Sequence, residues 1–66
     1  MKDKIKSLRI QAGLTQEQLA HEVGYKRQST VGMWEAGDRT PPTKKLVALA
    51  RALGCTIEEL LTPEGV

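Results

Sequence analysis

The chain has 66 residues, a formal net charge of +2 and one cysteine, Cys55; at this length, near the lower limit for an unaided core, one small domain is expected, without a separate effector domain. Aromatics are limited to Tyr25 and Trp34, and the apolar mass comes from Leu, Ala, Ile and Val, which favours an all-α fold over a β-sandwich. A lone cysteine excludes an internal disulfide and a cysteine-rich zinc site, and no signal peptide or membrane-length apolar run is present, so a soluble, cytoplasmic protein is expected.

Ile5, Leu8 and Ala12 recur at helical spacing and Gly13 follows as a left-handed stop, which predicts a first helix over residues 3–12 with Leu14 tucked beneath it. Thr15 and Gln18 form a capping box, in which hydroxyl and amide satisfy each other's free backbone donors. The box opens a second helix that runs through Val23 and is closed by Gly24. Val31 and Trp34 define the inward face of a third helix ending near Ala36 and Gly37, and the two prolines of "DRTPP" then force a loop.

Thr43 is expected to cap a fourth helix with Leu46, Val47, Leu49, Ala50 and Leu53 on its apolar face and Gly54 as its stop. Thr56 and Glu59 make a second capping box that opens a short last helix, "IEELL". Pro63 and Gly65 end the structured part, leaving residues 62–66 loose. Five short helices with short connections describe a compact bundle-like domain over residues 1–66.

Charge is unevenly placed. Residues 1–12 carry Lys2, Lys4, Lys6 and Arg9 against Asp3, and residues 24–45 carry Lys26, Arg27, Arg39, Lys44 and Lys45 against Glu35 and Asp38. Glu17, Glu22, Glu58, Glu59 and Glu64 lie elsewhere, so a basic side and a more acidic side are expected. Ordinary solvated charges account for this pattern about as well.

Helices two and three are joined by a short turn containing glycine, the arrangement of a helix-turn-helix over about residues 15–37. Ala20 is small where a partner helix passes, Gly24 permits positive φ, and Val31 with Trp34 forms a ridge that seats the third helix on the second. Helical packing without any ligand explains these positions equally well.

The segments "LRIQAGLTQEQLA", "VGMWEAGDRTPP" and "LVALARALGCTIEELL" resemble the Cro and phage-repressor family, the Xre-type helix-turn-helix domains, across most of residues 8–61. The resemblance implies a five-helix lambda-repressor-like domain whose third helix lies in the DNA major groove, acting as a homodimer on a palindromic operator in double-stranded DNA. Phage repressors and Cro are the standard examples of that docking. It gives Gln16 a phosphate contact at the start of the second helix, where free N–H groups and the helix dipole favour an anion. It makes Arg9 and Glu35 a partly buried ion pair linking the first helix to the third. It also places the loop "GDRTPPTKK" along the DNA backbone, with Arg39, Lys44 and Lys45 as the available cations.

One feature departs from the family. The turn from Gly24 to Val31 is one residue longer than usual, the extra residue lying in "YKRQ". Spacing back from Val31 makes Arg27 the cap, a poor one; Ser29 is chemically better but shortens the helix. A start near Arg27 or Gln28 is expected. Turning about 100° per residue from Val31 puts Trp34 and Glu35 inward and Ser29, Gly32, Met33 and Ala36 outward, with Gln28 at the edge.

In the groove a glutamine such as Gln28 pairs with adenine, Ser29 donates or accepts, and Met33 offers apolar contact to a thymine methyl. Arg27 can reach a guanine edge and Lys26 a phosphate. Gly32 weakens the helix by about 1 kcal/mol relative to Ala, for which a close approach of the helix backbone to DNA is one explanation.

Other residues point to no chemistry. His21 has no partner at metal-ligand spacing, Cys55 suits core packing or a dimer contact, and no nucleophile–base pair, carboxylate pair or phosphate loop appears. An enzyme, a cofactor and a small-molecule effector are not expected. Two uses of the fold remain: a DNA-binding regulator, most simply a repressor, or a protein-interaction module such as an antitoxin, which the apolar Met33, Gly32 and the low net charge would suit. Dimerisation is expected through the entrance of helix four, Cys55 and the last helix.

Overall fold

The computed structural model describes residues 2–61, which form five α-helices: α1 (Lys2–Gln11), α2 (Gln16–Val23), α3 (Gln28–Ala36), α4 (Leu46–Leu53) and α5 (Ile57–Leu61). A single 3-10 turn, Thr43–Lys45, leads into α4. Expectations for residues 62–66, Pro63 and Gly65 among them, lie outside the described residues. The fold is all-α, with no strand among the described residues.

Each helix delivers its apolar stripe to one core: Ile5 from α1, Leu19, Ala20 and Val23 from α2, Val31 and Trp34 from α3, Leu49, Ala50 and Leu53 from α4, and Leu60 from α5. Side chains such as Leu19 and Leu49 are wholly buried, each stabilising the fold by about 1.5–3 kcal/mol relative to exposure. Among the described residues the core holds no polar or charged side chain. Its centre is α2, which packs most closely on α3 and then on α4, while α1 closes over α3.

Local signals set most helix ends. The Thr15 hydroxyl accepts from the Gln18 N–H at 3.0 Å, and the Gln18 amide oxygen accepts from the Thr15 N–H at 2.9 Å, completing the capping box of α2. At α5 the Thr56 hydroxyl accepts from the Glu59 N–H at 3.1 Å. Gly24 ends α2 at φ 93°, a left-handed conformation that side chains other than glycine's resist.

Three expectations are corrected. The first helix spans Lys2–Gln11, one residue earlier than expected, and Ala12 lies exposed in the following turn rather than on the buried face. Thr43 begins the 3-10 turn, whose cap is Pro42, instead of capping α4 through its hydroxyl. Val47 is 50% exposed, because α4 turns Leu49, Ala50 and Leu53 to the core and leaves Val47 on the outside.

Candidate nucleic-acid interface

The site begins where α1, α2 and α3 meet. Arg9 Nε donates to Glu35 Oε2 at 2.6 Å and its Nη2 donates to Glu35 Oε1 at 3.3 Å, across the packing of α1 on α3. Arg9 Nη1 also donates to the Leu14 carbonyl at 2.8 Å, so one guanidinium ties the turn before α2 to the third helix. The two side chains are only 14% and 6% exposed, and this dryness makes the bidentate geometry matter.

Gln16 is the third member. Its Nε2 donates to Glu35 Oε1 at 3.1 Å, which draws the side chain along α3 rather than leaving it free at the start of α2. The amide keeps one N–H and its carbonyl oxygen for another partner. Gln16 thus sits half-buried at the start of α2, beside the Gly32 backbone of α3. Gly32 is half-buried beside that amide, which stands at ordinary contact distance from where a Cβ would be.

The long turn follows α2. The Gly24 N–H reaches the His21 carbonyl at 3.0 Å and the Tyr25 N–H reaches the Ala20 carbonyl at 2.8 Å, a double bond pattern that closes α2. The Tyr25 ring then meets Trp34 edge-on, with centroids 5.5 Å apart and planes at 81°. Trp34 is 3% exposed and is core.

Arg27 is the cap of α3, with extended backbone (φ −119°, ψ 136°) and no side-chain cap bond, and Gln28 is the first helical residue. Ser29 therefore lies inside the first turn. Lys26, Arg27, Gln28 and Ser29 are all exposed, and Met33 is 37% exposed one turn further on. This is the free face of α3, opposite Val31 and Trp34.

Cations stand beside the turns at both ends of α3. Lys45 Nζ lies 5.2 Å from the Tyr25 ring centroid, beside the turn that precedes α3. At the other end the Lys2 side chain runs across Gly37, its Cδ 3.0 Å from where a Cβ would stand. Arg39 follows in the loop, its N–H donating to the Met33 carbonyl at 3.3 Å, and with Lys2 and Trp34 it lines a cavity of about 210 Å3. Lys44 is exposed and Lys45 half-buried.

Sequence reasoning assigned no site role to Lys2 or Tyr25. Lys2 is brought to Gly37 only by the packing of α1 on α3, for which no local signal exists. Tyr25 carried a signal, an aromatic inside an over-long turn. Cys55 packs partly against the core, its thiol pushed up from the ordinary value by burial and by Glu59, against a smaller opposing effect of Lys4. Among the described residues no group of His, Cys, Asp and Glu is arranged to hold a metal, and no helix is long and apolar enough to cross a membrane.

A helix-turn-helix family model matches residues 5–60. The chain is similar to the HTH-type transcriptional activator BcrR of Enterococcus faecalis, 36% identical over 94% of this chain but only 30% of that protein. It is 36% identical to the uncharacterized HTH-type transcriptional regulator MJ0272 of Methanocaldococcus jannaschii, over 97% of this chain and 96% of that one. The regulator YgzD of Bacillus subtilis is 37% identical over 91% of this chain and 89% of its own. By that match and by the seating of α3 on α2, the chain belongs to the Xre/Cro-type helix-turn-helix family of DNA-binding transcriptional regulators.

Proposed function

We propose that the chain is a sequence-specific regulator that binds a palindromic operator as a homodimer, placing the α3 helices of two copies in successive major grooves about 34 Å apart. The observation that carries this reading is the free N-terminal half of α3: Arg27, Gln28 and Ser29 are exposed and carry no cap bond, while Val31 and Trp34 anchor the same helix in the core. Arg27, Gln28, Ser29 and Met33 read bases, to guanine, adenine, either donor or acceptor, and the thymine methyl respectively. Gln16, Lys26, Arg39, Lys44 and Lys45 meet the backbone. An ammonium has three N–H donors, of which those not facing the Tyr25 ring are left for a phosphate, so Lys45 stays in that set.

Repression is the simplest outcome, because occupying an operator needs no surface beyond the DNA and dimer contacts. BcrR is named an activator, and the same DNA contacts serve either sign according to where the operator lies. Exposed apolar side chains at the entrance of α4, Val47, and on the last helix, Leu61, support a dimer contact there. The protein acts in the cytoplasm on double-stranded DNA, as one domain.

Selection of bound sites from random DNA, repeated for Arg27→Ala and Gln28→Ala, tests this. A palindromic site whose preferred bases change in each variant is the expected result, with the protein sedimenting as a dimer on it. Equal, weak binding to every duplex, or a stable protein partner covering α3, overturns it.

A further inference from the structure

Tyr25 touches three separate parts of the fold. Its N–H closes α2 on the Ala20 carbonyl, its ring packs edge-on against Trp34 of α3, and Lys45, from the turn before α4, sets its ammonium over that ring. Glycine at position 24 makes room for this: Lys45 Nζ lies 3.3 Å from where a Cβ there would stand. The next residues, Lys26 and Arg27, are exposed, and no side chain caps α3. Gly24 and the Tyr25 N–H are fixed locally by the close of α2, but no side chain caps the entry to α3 at Arg27, so the direction in which the chain leaves Tyr25 leans on the contacts of its ring.

We propose that Tyr25 is a positioning residue for DNA reading: clamped between Trp34 and Lys45, it sets the path of the long turn and so the placement of Lys26, Arg27 and Gln28. The proposal rests on the DNA-binding reading above. Paired contacts to a base edge require one geometry of donor and acceptor, and a turn free to take several paths would offer several. Lys45 contributes through the attraction of a cation to the ring face, so removing its charge loosens the same clamp.

The test compares the full chain with Tyr25→Phe, Tyr25→Ala and Lys45→Met on the wild-type selected site and on random duplex, with thermal melts and Trp34 emission alongside. Tyr25→Phe keeps the ring and is expected to hold the selected-over-random ratio within about twofold. Tyr25→Ala is expected to lower that ratio about tenfold while random-duplex affinity changes little, and to shift Trp34 emission to the red. Lys45→Met is expected to lower the ratio about threefold.

A Tyr25→Ala protein that melts cooperatively and keeps its ratio overturns the proposal. If Tyr25→Ala does not fold, Lys45→Met decides by the ratio alone, since a shallower salt slope is expected of a phosphate contact in either case: a lowered ratio supports the clamp, whereas an unchanged ratio makes Tyr25 plain core. A wild type without any preferred site overturns the DNA reading and this proposal together, an outcome distinct from a selective wild type with selective variants.

Discussion

The side-chain amide of Gln16 lies across Gly32, its Oε1 3.8 Å and its Nε2 3.9 Å from the point where a Cβ on that glycine would stand. The glycine in the middle of α3 thus faces a residue of α2. Contact at that distance is ordinary van der Waals packing, so a methyl group fits. Glu35 holds the amide in place from one turn further along α3.

Gly32→Ala is therefore expected to stabilise the fold by about 0.5–1 kcal/mol, the helix-interior difference between the two residues, and to raise the melting temperature by a few degrees. Affinity for the selected DNA site should stay the same. Urea denaturation and a binding titration check the two halves; a stabilised protein with weakened DNA binding would restore a close approach of the helix backbone to DNA as the reason for the glycine.

The Arg9–Glu35 pair predicts an asymmetry. Glu35→Ala leaves a guanidinium with little water and frees Gln16, which should cost about 3 kcal/mol, the lower end for a buried pair because the Arg9 edge is still wet. Replacing both partners, Arg9→Met with Glu35→Leu, should cost clearly less than the single change. Urea midpoints of the two single variants and the double variant measure this, and a double variant as unstable as their sum would contradict it.

Phosphate contacts have a salt signature. Arg39→Ala and Lys44→Ala should each make the dependence of log K on log salt shallower by about 0.9 without changing the preferred bases. Titrations at several salt concentrations read this directly. An unchanged slope marks the cation as a solvated surface charge.

Cys55 should alkylate slowly. Burial, then Glu59, raise its thiol above the ordinary value, and Lys4 only partly opposes them. The folded chain therefore keeps the thiol proton to higher pH than the unfolded chain. That contribution to stability is present below the unfolded thiol value and is lost as pH rises through the folded one. Iodoacetamide at mildly alkaline pH should modify folded protein several-fold more slowly than unfolded protein; equal rates would refute the shift.

Helix ends were legible in the sequence where a signal is complete within one turn. Thr15 and Gln18 cap each other, Gly24 and Gly37 take positive φ, and Val31 and Trp34 point inward because they lie three apart on one helix. Val47 was not legible for a physical reason: the pattern Leu46, Val47, Leu49, Ala50, Leu53 is a stripe wider than the surface available to cover it, and only the packed neighbours decide which edge is left out. Thr43 failed as a cap because the chain enters α4 through a 3-10 turn led by Pro42.

By itself the sequence determined an all-helical chain, the order and glycine closure of its helices, and an outward face of α3 carrying Ser29 and Met33; the start of α3 lay open between Arg27 and Gln28 until the structure gave Gln28. Those follow from backbone hydrogen bonding and from helical periodicity, which act between residues a few positions apart. Only the tertiary structure decided that Gln16 covers Gly32, that Lys2 crosses Gly37, and that Lys45 and Trp34 hold Tyr25 between them. Each joins residues on different helices or turns, and such contacts are set by how the apolar stripes stack, which no local pattern encodes.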